Sequence, residues 1–316
     1  MSLTQVTVLG ECVADAFPVD GPEPGGLTLR VLPGGGPTNT AVALARLGTR
    51  TRFLGRISRD AFGALFRAHL DASGVDLSAC VSAAEPSTLA VATLDDAGRA
   101  GYSFHAEGAA DWQWSAAELT ADRVGSAACL HTGSLTLVRG PGAELVENLL
   151  SALPETVTVS IDPNVRAELV DPAVYRARMP RWCALADIVK LSDDDLEYVH
   201  PGEPAERVCD AWHAAGVRLV VVTRGPRGAL VSVDGARARV PALAAEVVDT
   251  VGAGDSFTAG LLHRLGTEGL LGGRLKALDL ERAVEAAAFA SRVAALTCSV
   301  PGADPPWARD LAACDP

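Results

Sequence analysis

The sequence is poor in several features that mark particular classes of protein. Only two of its 316 residues are lysine, Lys190 and Lys276, and neither follows a GxxxxG turn, which excludes a P-loop nucleotide site. A bilayer span needs about 20 consecutive apolar residues. The longest uncharged segments, 31–45 and 124–138, have 15 residues each and contain several glycines. We therefore expect no membrane span.

Cysteine usage and charge exclude further classes of protein. The seven cysteines are scattered and form no CxxC pair, which is typical of reduced thiols rather than a metal site. The first ten residues have no basic segment before an apolar run, so we expect no signal peptide and a cytoplasmic protein. With 39 acidic and 27 basic residues, the formal charge is −12. Such a surface repels phosphate backbones, which disfavours nucleic acid as the main partner.

Apolar runs of strand length alternate with helical patterns along the chain. The strand-like runs lie at 6–9, 129–131, 157–161, 188–190 and 219–223. Helical spacing of apolar residues occurs at 62–70, 208–215 and 284–291. Unbroken apolar strands that alternate with helices indicate an α/β fold, in which a central, mainly parallel sheet is covered by helices on both faces.

Two segments depart from this alternation. Residues 89–93 and 102–104 alternate apolar and polar side chains around Asp95-Asp96-Ala97-Gly98, which predicts a β-hairpin. A Gly- and Pro-rich segment at 18–33 holds one short alternating run at 27–31. We expect a small β-sheet built from about 12–33 and about 86–108. No repeat or linker divides the chain, so we interpret residues 1–316 as one domain with this sheet attached.

Ligands of such folds bind beyond the carboxyl ends of the parallel strands. Polar or glycine-rich residues follow four of the predicted strands, at 10–15, 162–166, 192–195 and 223–225. Each of these segments alone is more typical of an ordinary cap or turn. Their recurrence at strand ends predicts a shared binding edge.

The most informative segment is Gly252-Ala253-Gly254-Asp255, which leads into a helical run at 255–265. Backbone N–H groups and the helix dipole at such a junction favour an anion. Asp255 is either the N-cap of this helix or a base for a hydroxyl that attacks phosphorus, and the local pattern leaves both open. Phe257 replaces the third glycine of a dinucleotide fingerprint, and the HRD and DFG motifs of protein kinases are absent.

Three consecutive glycines at 34–36 precede a second helical run at 40–47. Thr38 or Asn39 can cap this helix, and Gly48 suits the position just after its end. A purely structural role accounts poorly for three glycines in a row, because glycine costs conformational entropy unless something approaches the backbone closely.

Together, these two segments resemble the paired signatures of the PfkB-type carbohydrate kinases of the ribokinase superfamily. The first signature is similar to residues 34–48 (GGGPTNTAVALARLG) and the second to residues 249–262 (DTVGAGDSFTAGLL). Weaker family landmarks resemble 53–63, 162–166, 189–192 and 223–225. The resemblance covers nearly the whole chain. It implies a ribokinase-like three-layer α/β sandwich with a small β-sheet lid, and it implies ATP and Mg²⁺ as cofactors.

The resemblance also implies roles for individual residues. Asp255 would be the general base that takes a proton from a sugar hydroxyl. The N–H groups of Gly252, Ala253, Gly254 and Asp255 would hold the transferred phosphoryl group. The residues that would contact the sugar are Asp15, Gly35, Gly36, Asn39 and Arg166.

A second set would bind the nucleotide and its cations. The residues near ATP would be Ser192, Thr223, Arg224, Gly225 and Gly228, with 295–302 beside the adenine. Asp195 would serve the Mg²⁺ site, where the family often has a longer glutamate, and Asp194 or Glu197 are alternatives. Asp249 resembles part of the K⁺ site of many members. Phosphate binding would rest on backbone N–H groups, Mg²⁺ and a few arginines, without either lysine.

Smaller features bear on the substrate. Pro37 and residues 131–134 (HTGS) resemble the fructokinase-like branch, and 2-keto-3-deoxygluconate kinases share the proline. An acid sugar requires a cation for its carboxylate; residues 102–107 offer none, although Arg166 could serve. Aromatic residues make up only 5% of the chain, which disfavours a nucleoside, since nucleosides favour aromatic stacking surfaces.

We therefore expect ATP-dependent phosphorylation of a neutral ketohexose such as fructose. The alternatives within the family are 2-keto-3-deoxygluconate kinase, ribokinase and nucleoside kinase. A catalytically silent sugar or nucleotide sensor on the same fold is the non-enzyme alternative. The family also implies a homodimer joined through the lid.

Overall fold

A computed structural model of the chain describes residues 4–19, 26–94 and 100–312. Cys314 and the predicted turn at 95–98 lie outside the described residues. The strands are β1 (Gln5–Leu9), β2 (Val13–Val19), β3 (Thr28–Gly34), β4 (Arg50–Leu54), β5 (Arg56–Ser58), β6 (Val81–Ala83), β7 (Thr88–Leu94), β8 (Ala100–His105), β9 (Cys129–Gly133), β10 (Thr158–Asp162), β11 (Ile188–Ser192), β12 (Leu219–Thr223), β13 (Ala229–Val233) and β14 (Ala236–Val240). The helices are α1 (Gly36–Arg46), α2 (Ala61–Ala72), α3 (Ala121–Val124), α4 (Gly142–Ala152), α5 (Pro172–Leu185), α6 (Asp193–Val199), α7 (Ala205–Ala215), α8 (Ala253–Thr267), α9 (Leu280–Cys298) and α10 (Ala308–Ala312).

The main sheet has the strand order β14-β13-β12-β11-β10-β9-β1-β4. The strands from β12 to β4 run parallel, and β13 and β14 add an antiparallel edge. The five strands predicted from apolar runs are β1, β9, β10, β11 and β12, which are neighbours at the centre of the sheet. Their residues are almost all buried, as expected for strands covered on both faces.

Helices cover both faces of this sheet and enclose two hydrophobic cores. One core holds side chains from α4, α5 and α7, with Trp182 and Tyr175 fully buried. The other holds side chains from α1, α2, α8 and α9. The predicted helical stretches at 62–70, 208–215 and 284–291 lie within α2, α7 and α9. The expected α/β fold with three layers is confirmed.

A second, small sheet has the order β3-β2-β7-β8. Strand β2 follows the carboxyl end of β1 after three residues, so the small sheet starts at the predicted binding edge. Strands β7 and β8 pair antiparallel, as the hairpin pattern predicts, and β2 joins them through a parallel pairing with β7. The predicted small sheet is therefore confirmed.

Two further findings concern membrane spans and cysteines. No helix within the described ranges is long and apolar enough to cross a membrane. The six cysteines of the described ranges are free thiols, and four of them are buried.

Helices α8 and α9 approach each other closely at Gly260. A Cβ atom at this position would lie 2.8 Å from the Cα and 3.4 Å from the Cβ of Ala290. Because the nearest obstacle is backbone, a side chain at Gly260 would push the two helices apart. Gly260 therefore determines how closely α8 packs against α9, and α8 carries Asp255 in its first turn.

We expect Gly260→Ala to destabilise the protein by about 1–3 kcal/mol, because the added methyl group overpacks the α8–α9 contact. Gly266→Ala, in the same helix, is the matched control. There the three nearest atoms to a Cβ belong to side chains, led by Thr4 Cγ2 at 3.3 Å and Leu271 Cδ1 at 3.4 Å. Urea unfolding of both variants measures the difference. Equal stability of the two variants would contradict this account of the packing.

Candidate active site

The carboxyl ends of the parallel strands bring charged groups together, as predicted. Asp162 ends β10, and its Oδ2 accepts a 2.7 Å hydrogen bond from Nζ of Lys190 on β11. Both side chains are buried. Ser192 and Thr223 end β11 and β12 in direct register with each other. Helix α8 begins at the same edge, because a Cβ at Gly254 would lie 3.1 Å from Lys190 Nζ.

Asp255 lies in the first turn of α8 and faces α1. Its Oδ2 accepts a 2.9 Å hydrogen bond from Nδ2 of Asn39, which is 216 residues away in the sequence. The helix starts at Ala253, and the residue before it is Gly252 in the left-handed conformation, with no side-chain cap. The interpretation of Asp255 as an N-cap is therefore wrong, which leaves its carboxylate available as a base.

The electrostatic surroundings of Asp255 suit a base that works near neutral pH. Burial raises its pKa to about 6, while the hydrogen bond from Asn39 and the positive charges of Lys190 and Arg166 limit the rise. Burial also raises the pKa of Asp15 on β2 to about 6, again opposed by Arg166. Both carboxylates are ionised above this pH, and the charge of Asp255 adds a smaller rise to the pKa of Asp15.

Gly34 and Gly35, at the start of the first signature, leave space for the Asp15 carboxylate and for the backbone at Glu11. A Cβ at Gly34 would overlap the Asp15 carboxylate. Gly35 has φ 102°, which favours glycine, and a Cβ there would lie 2.7 Å from the carbonyl oxygen of Glu11. Helix α1 begins directly after Gly35, so the prediction that Thr38 or Asn39 caps it is wrong. Thr38 instead donates to the Glu11 carbonyl at 2.7 Å.

Because Gly36 has no side chain, a polar space that we call the cradle lies between α1, α8 and the loop after β10. A Cβ at this position would lie 2.6 Å from Nδ2 of Asn164 and 3.2 Å from Oδ1 of Asp255. Asn164 itself adopts a left-handed backbone conformation, with φ 41°. Such strain is common at functional sites. The exposed Arg166 follows on the same loop, so the predicted sugar-binding residues come together here.

The start of α8 offers unpaired backbone donors. The N–H group of Ala253 donates to the carbonyl of Thr250 at 3.3 Å. The N–H groups of Gly252, Gly254 and Asp255 have no hydrogen-bond acceptor within the described part of the chain. At the beginning of a 15-residue helix, such donors and the helix dipole form a nest for an anion. Three of the four predicted donors are therefore free for a ligand.

The residues predicted to bind ATP form the adjoining part of the edge. Ser192 is the N-cap of α6. Thr223 ends β12, and a tight turn follows in which the N–H of Arg224 donates to the Gly228 carbonyl at 2.7 Å. Gly225 and Gly228 both have positive φ, at 52° and 81°. The segment predicted as a loop beside adenine, 295–302, begins instead as the last turn of α9.

The two carboxylates predicted to serve metal ions are engaged with the polypeptide. Asp195 accepts hydrogen bonds from the backbone N–H of Val165 at 2.8 Å and from the Ser192 hydroxyl at 2.7 Å. Asp249 accepts one from the N–H of Gly302 at 2.8 Å and so joins the loop before α8 to the segment after α9. Within the described ranges, no three or more His, Cys, Asp or Glu side chains form a metal-binding group.

Sequence reasoning missed two members of the site. The predicted phosphate site does not include Lys190, although this residue is one of two lysines and ends the predicted strand at 188–190. The sequence pattern places Asn164 at a strand end and assigns it no role. His131 on β9 lies close by, but burial and then the charge of Lys190 lower its pKa to about 3, so it stays neutral.

Comparisons with known proteins agree with this geometry. Residues 3–309 match the family described as pfkB family carbohydrate kinase. A fructokinase of Rhizobium leguminosarum bv. trifolii is 38% identical over 239 residues, which cover 75% of this chain and 73% of that protein.

Two solved structures share the fold over nearly the full length. Fructokinase from Vibrio cholerae O395, in its fructose, ADP and calcium ion bound form, has a TM-score of 0.81 at 29% identity and covers 96% of this chain and 95% of its own. Fructokinase from Xylella fastidiosa with bound ATP has a TM-score of 0.86 at 27% identity and covers 95% and 93%. The chain belongs to the pfkB family of carbohydrate kinases.

Proposed function

We propose that this sugar kinase transfers a phosphoryl group from ATP to a hydroxyl of fructose. The observation that carries the proposal is the position of Asp255, which lies between the glycine cradle and the unpaired N–H groups at the start of α8. A base thus lies between a place for a polyol and a place for an anion. The fructokinases with bound fructose, ADP or ATP support the same choice of substrates.

The residues of this chain suggest how the reaction would proceed. A sugar in the cradle would present one hydroxyl to Asp255, whose carboxylate accepts the proton as the hydroxyl oxygen bonds to the γ-phosphorus. The bond between this phosphorus and the bridging oxygen breaks, and ADP leaves. The free N–H groups of Gly252, Gly254 and Asp255 would hold the transferred group while charge builds on its oxygens.

The residues present fit a magnesium ion that arrives with ATP. Mg²⁺ is usually held by one or two carboxylates together with substrate phosphates and water. Oδ1 of Asp162 is buried and has no hydrogen-bond partner within the described ranges, so it is one oxygen available to the ion or its water. When bound, Mg²⁺ would neutralise phosphate charge. Asp195 would act through water, because its own oxygens already bind Val165 and Ser192.

The small sheet would serve as a lid of a single domain. Its strand β2 carries Asp15, so its position relative to the main sheet would control access to the sugar. Val19, Leu27 and Tyr102 on this sheet and its margin are exposed apolar side chains, which fits the expected homodimer through the lid. The K⁺ site at Asp249 and the cytoplasmic location stay predictions.

We expect fructose to give the highest kcat/KM in an ADP-release assay with pure protein, Mg²⁺ and K⁺. Ribose, 2-keto-3-deoxygluconate, adenosine and sugar phosphates complete the panel. The reason is that the cradle presents the Asn164 amide and the carboxylates of Asp255 and Asp15, which suit neutral hydroxyls, with one exposed cation at Arg166. A preference for 2-keto-3-deoxygluconate would move the assignment to acid sugars. An absence of turnover with every substrate would favour the sensor alternative.

We expect Asp255→Asn to lower kcat by about 10²–10⁴-fold, because the amide cannot accept the hydroxyl proton. ATP binding, measured by calorimetry, should persist, since the free N–H groups remain. Asp71→Asn, an exposed position on α2, is the matched control and should behave as the parent. Activity of Asp255→Asn within a few-fold of the parent would remove Asp255 as the base.

We expect kcat/KM for fructose to fall as the pH drops through about 6, the pKa to which burial raises Asp255. The base acts in its ionised form, which is present above this pKa and is lost below it. Asp15 titrates in the same range and should steepen the decline. A profile that stays flat from pH 7 to pH 5 would contradict the assignment of these carboxylates.

A further inference from the structure

Lys190 lies on β11, and its buried side chain reaches the start of α8 from the side of the sheet. Its side chain is on β11, and the residue is only 4% exposed. A Cβ at Gly254 would lie 3.1 Å from its Nζ, so the ammonium group packs against the Cα of Gly254. The second glycine of the Gly-Ala-Gly turn therefore allows a lysine to approach the anion nest from inside the protein.

Carboxylates from three elements surround this ammonium group. Asp162 at the end of β10 accepts its hydrogen bond at 2.7 Å. Asp195 in α6 and Asp255 in α8 interact with it through their charges. Burial disfavours the charged form of Lys190, but these three carboxylates outweigh burial, and the pKa of Lys190 is raised. Lys190 thus carries a permanent positive charge.

The other charged and titratable groups nearby do not replace this charge. His131 lies on β9, which β10 separates from β11 in the sheet, and it is neutral. Arg166 lies on the exposed side of the cleft, and its charge acts on Asp15 and Asp255 from there. Lys190 is the buried cation of the site within the described ranges.

A purely structural ion pair is a weaker explanation of this arrangement. Buried ion pairs are often no more stable than apolar side chains of similar volume, because both charges lose their hydration. Here the pair also leaves Oδ1 of Asp162 without a partner within the described ranges. A pair kept for stability alone would not require a glycine against the ammonium group.

We propose that Lys190 is a positioning residue for phosphoryl transfer, whose fixed positive charge balances the negative charges of Asp255 and of the phosphoryl group held at Gly252 to Asp255. The inference rests on the proposed function. The base and the phosphoryl group are both anions, and both must lie beside the same sugar hydroxyl during the transfer. A cation between them and the sheet, in a site with little water, offsets their repulsion more strongly than a solvated one. Lys190 would thus supply from a strand the charge that a P-loop lysine supplies from a loop.

The test compares Lys190→Gln, which loses the charge but can still donate to Asp162, with Lys190→Arg, which keeps the charge. Lys276→Gln, at the exposed second lysine, is the matched control. We expect kcat of Lys190→Gln to fall on the order of 10²-fold. Its kcat/KM should also begin to fall at a pH about one unit higher, because Asp255 loses a cation that favours its ionised form. Lys190→Arg should restore part of kcat and the parent pH profile.

Folding is checked by circular dichroism and urea unfolding of each variant. If Lys190→Gln does not fold, the double variant Lys190→Met with Asp162→Asn replaces the whole pair by neutral groups, and we expect it to fold and to show a comparable loss of kcat. A folded variant of either kind with kcat within three-fold of the parent, or with an unshifted pH profile for Lys190→Gln, would overturn the inference. Parent protein that does not turn over fructose in the same assay would instead overturn the proposed function.

Discussion

The ion pair between Asp162 and Lys190 connects the sheet to the helix on which the active site depends. It spans the ends of β10 and β11 at 2.7 Å. Thr258, one turn into α8, places its hydroxyl 3.4 Å from the same carboxylate oxygen and 3.1 Å from the carbonyl of Gly254. Strand ends and helix start are thus held around one buried charge pair. Removing one partner would leave a charge unpaired in the interior, which is strongly destabilising, and the Thr258 hydroxyl links α8 to this pair.

This arrangement explains how an acidic protein can bind anionic ligands. The chain carries a formal charge of −12, and any ATP-like ligand is itself negative. The positive potential at the site is local: it comes from N–H groups at the start of α8, from Lys190 inside and from Arg166 outside. Charges a few ångströms away in a poorly hydrated site outweigh a distant surface charge, which salt screens over about 10 Å. Net charge therefore excludes extended polyanions without excluding a small phosphate ligand.

The sequence predicted those parts of the structure that depend on local pattern. The five central strands were predictable because burial on both faces leaves a continuous apolar run. The anion nest was predictable because a glycine-rich turn before a helix has few other uses. The partner of Asp255 was not, since Asn39 lies 216 residues away and their contact exists only once α1 packs beside α8. Lys190 was not predictable for the same reason. Its spacing matches no local motif, and it meets Asp162 and Gly254 only when β11 pairs with β10 and α8 packs beside them.

The glycines of the two signatures show that both segments contribute to one site. Gly34 and Gly36 leave room for Asp15 and for Asn164 with Asp255, while Gly254 leaves room for Lys190. Each missing side chain thus makes space for a functional group that comes from another element. A glycine chosen only for a turn would need a positive φ, but Gly254 is helical and shows none. The signatures are therefore constrained by what approaches them, and this is why a short glycine pattern carries so much information about chemistry elsewhere in the chain.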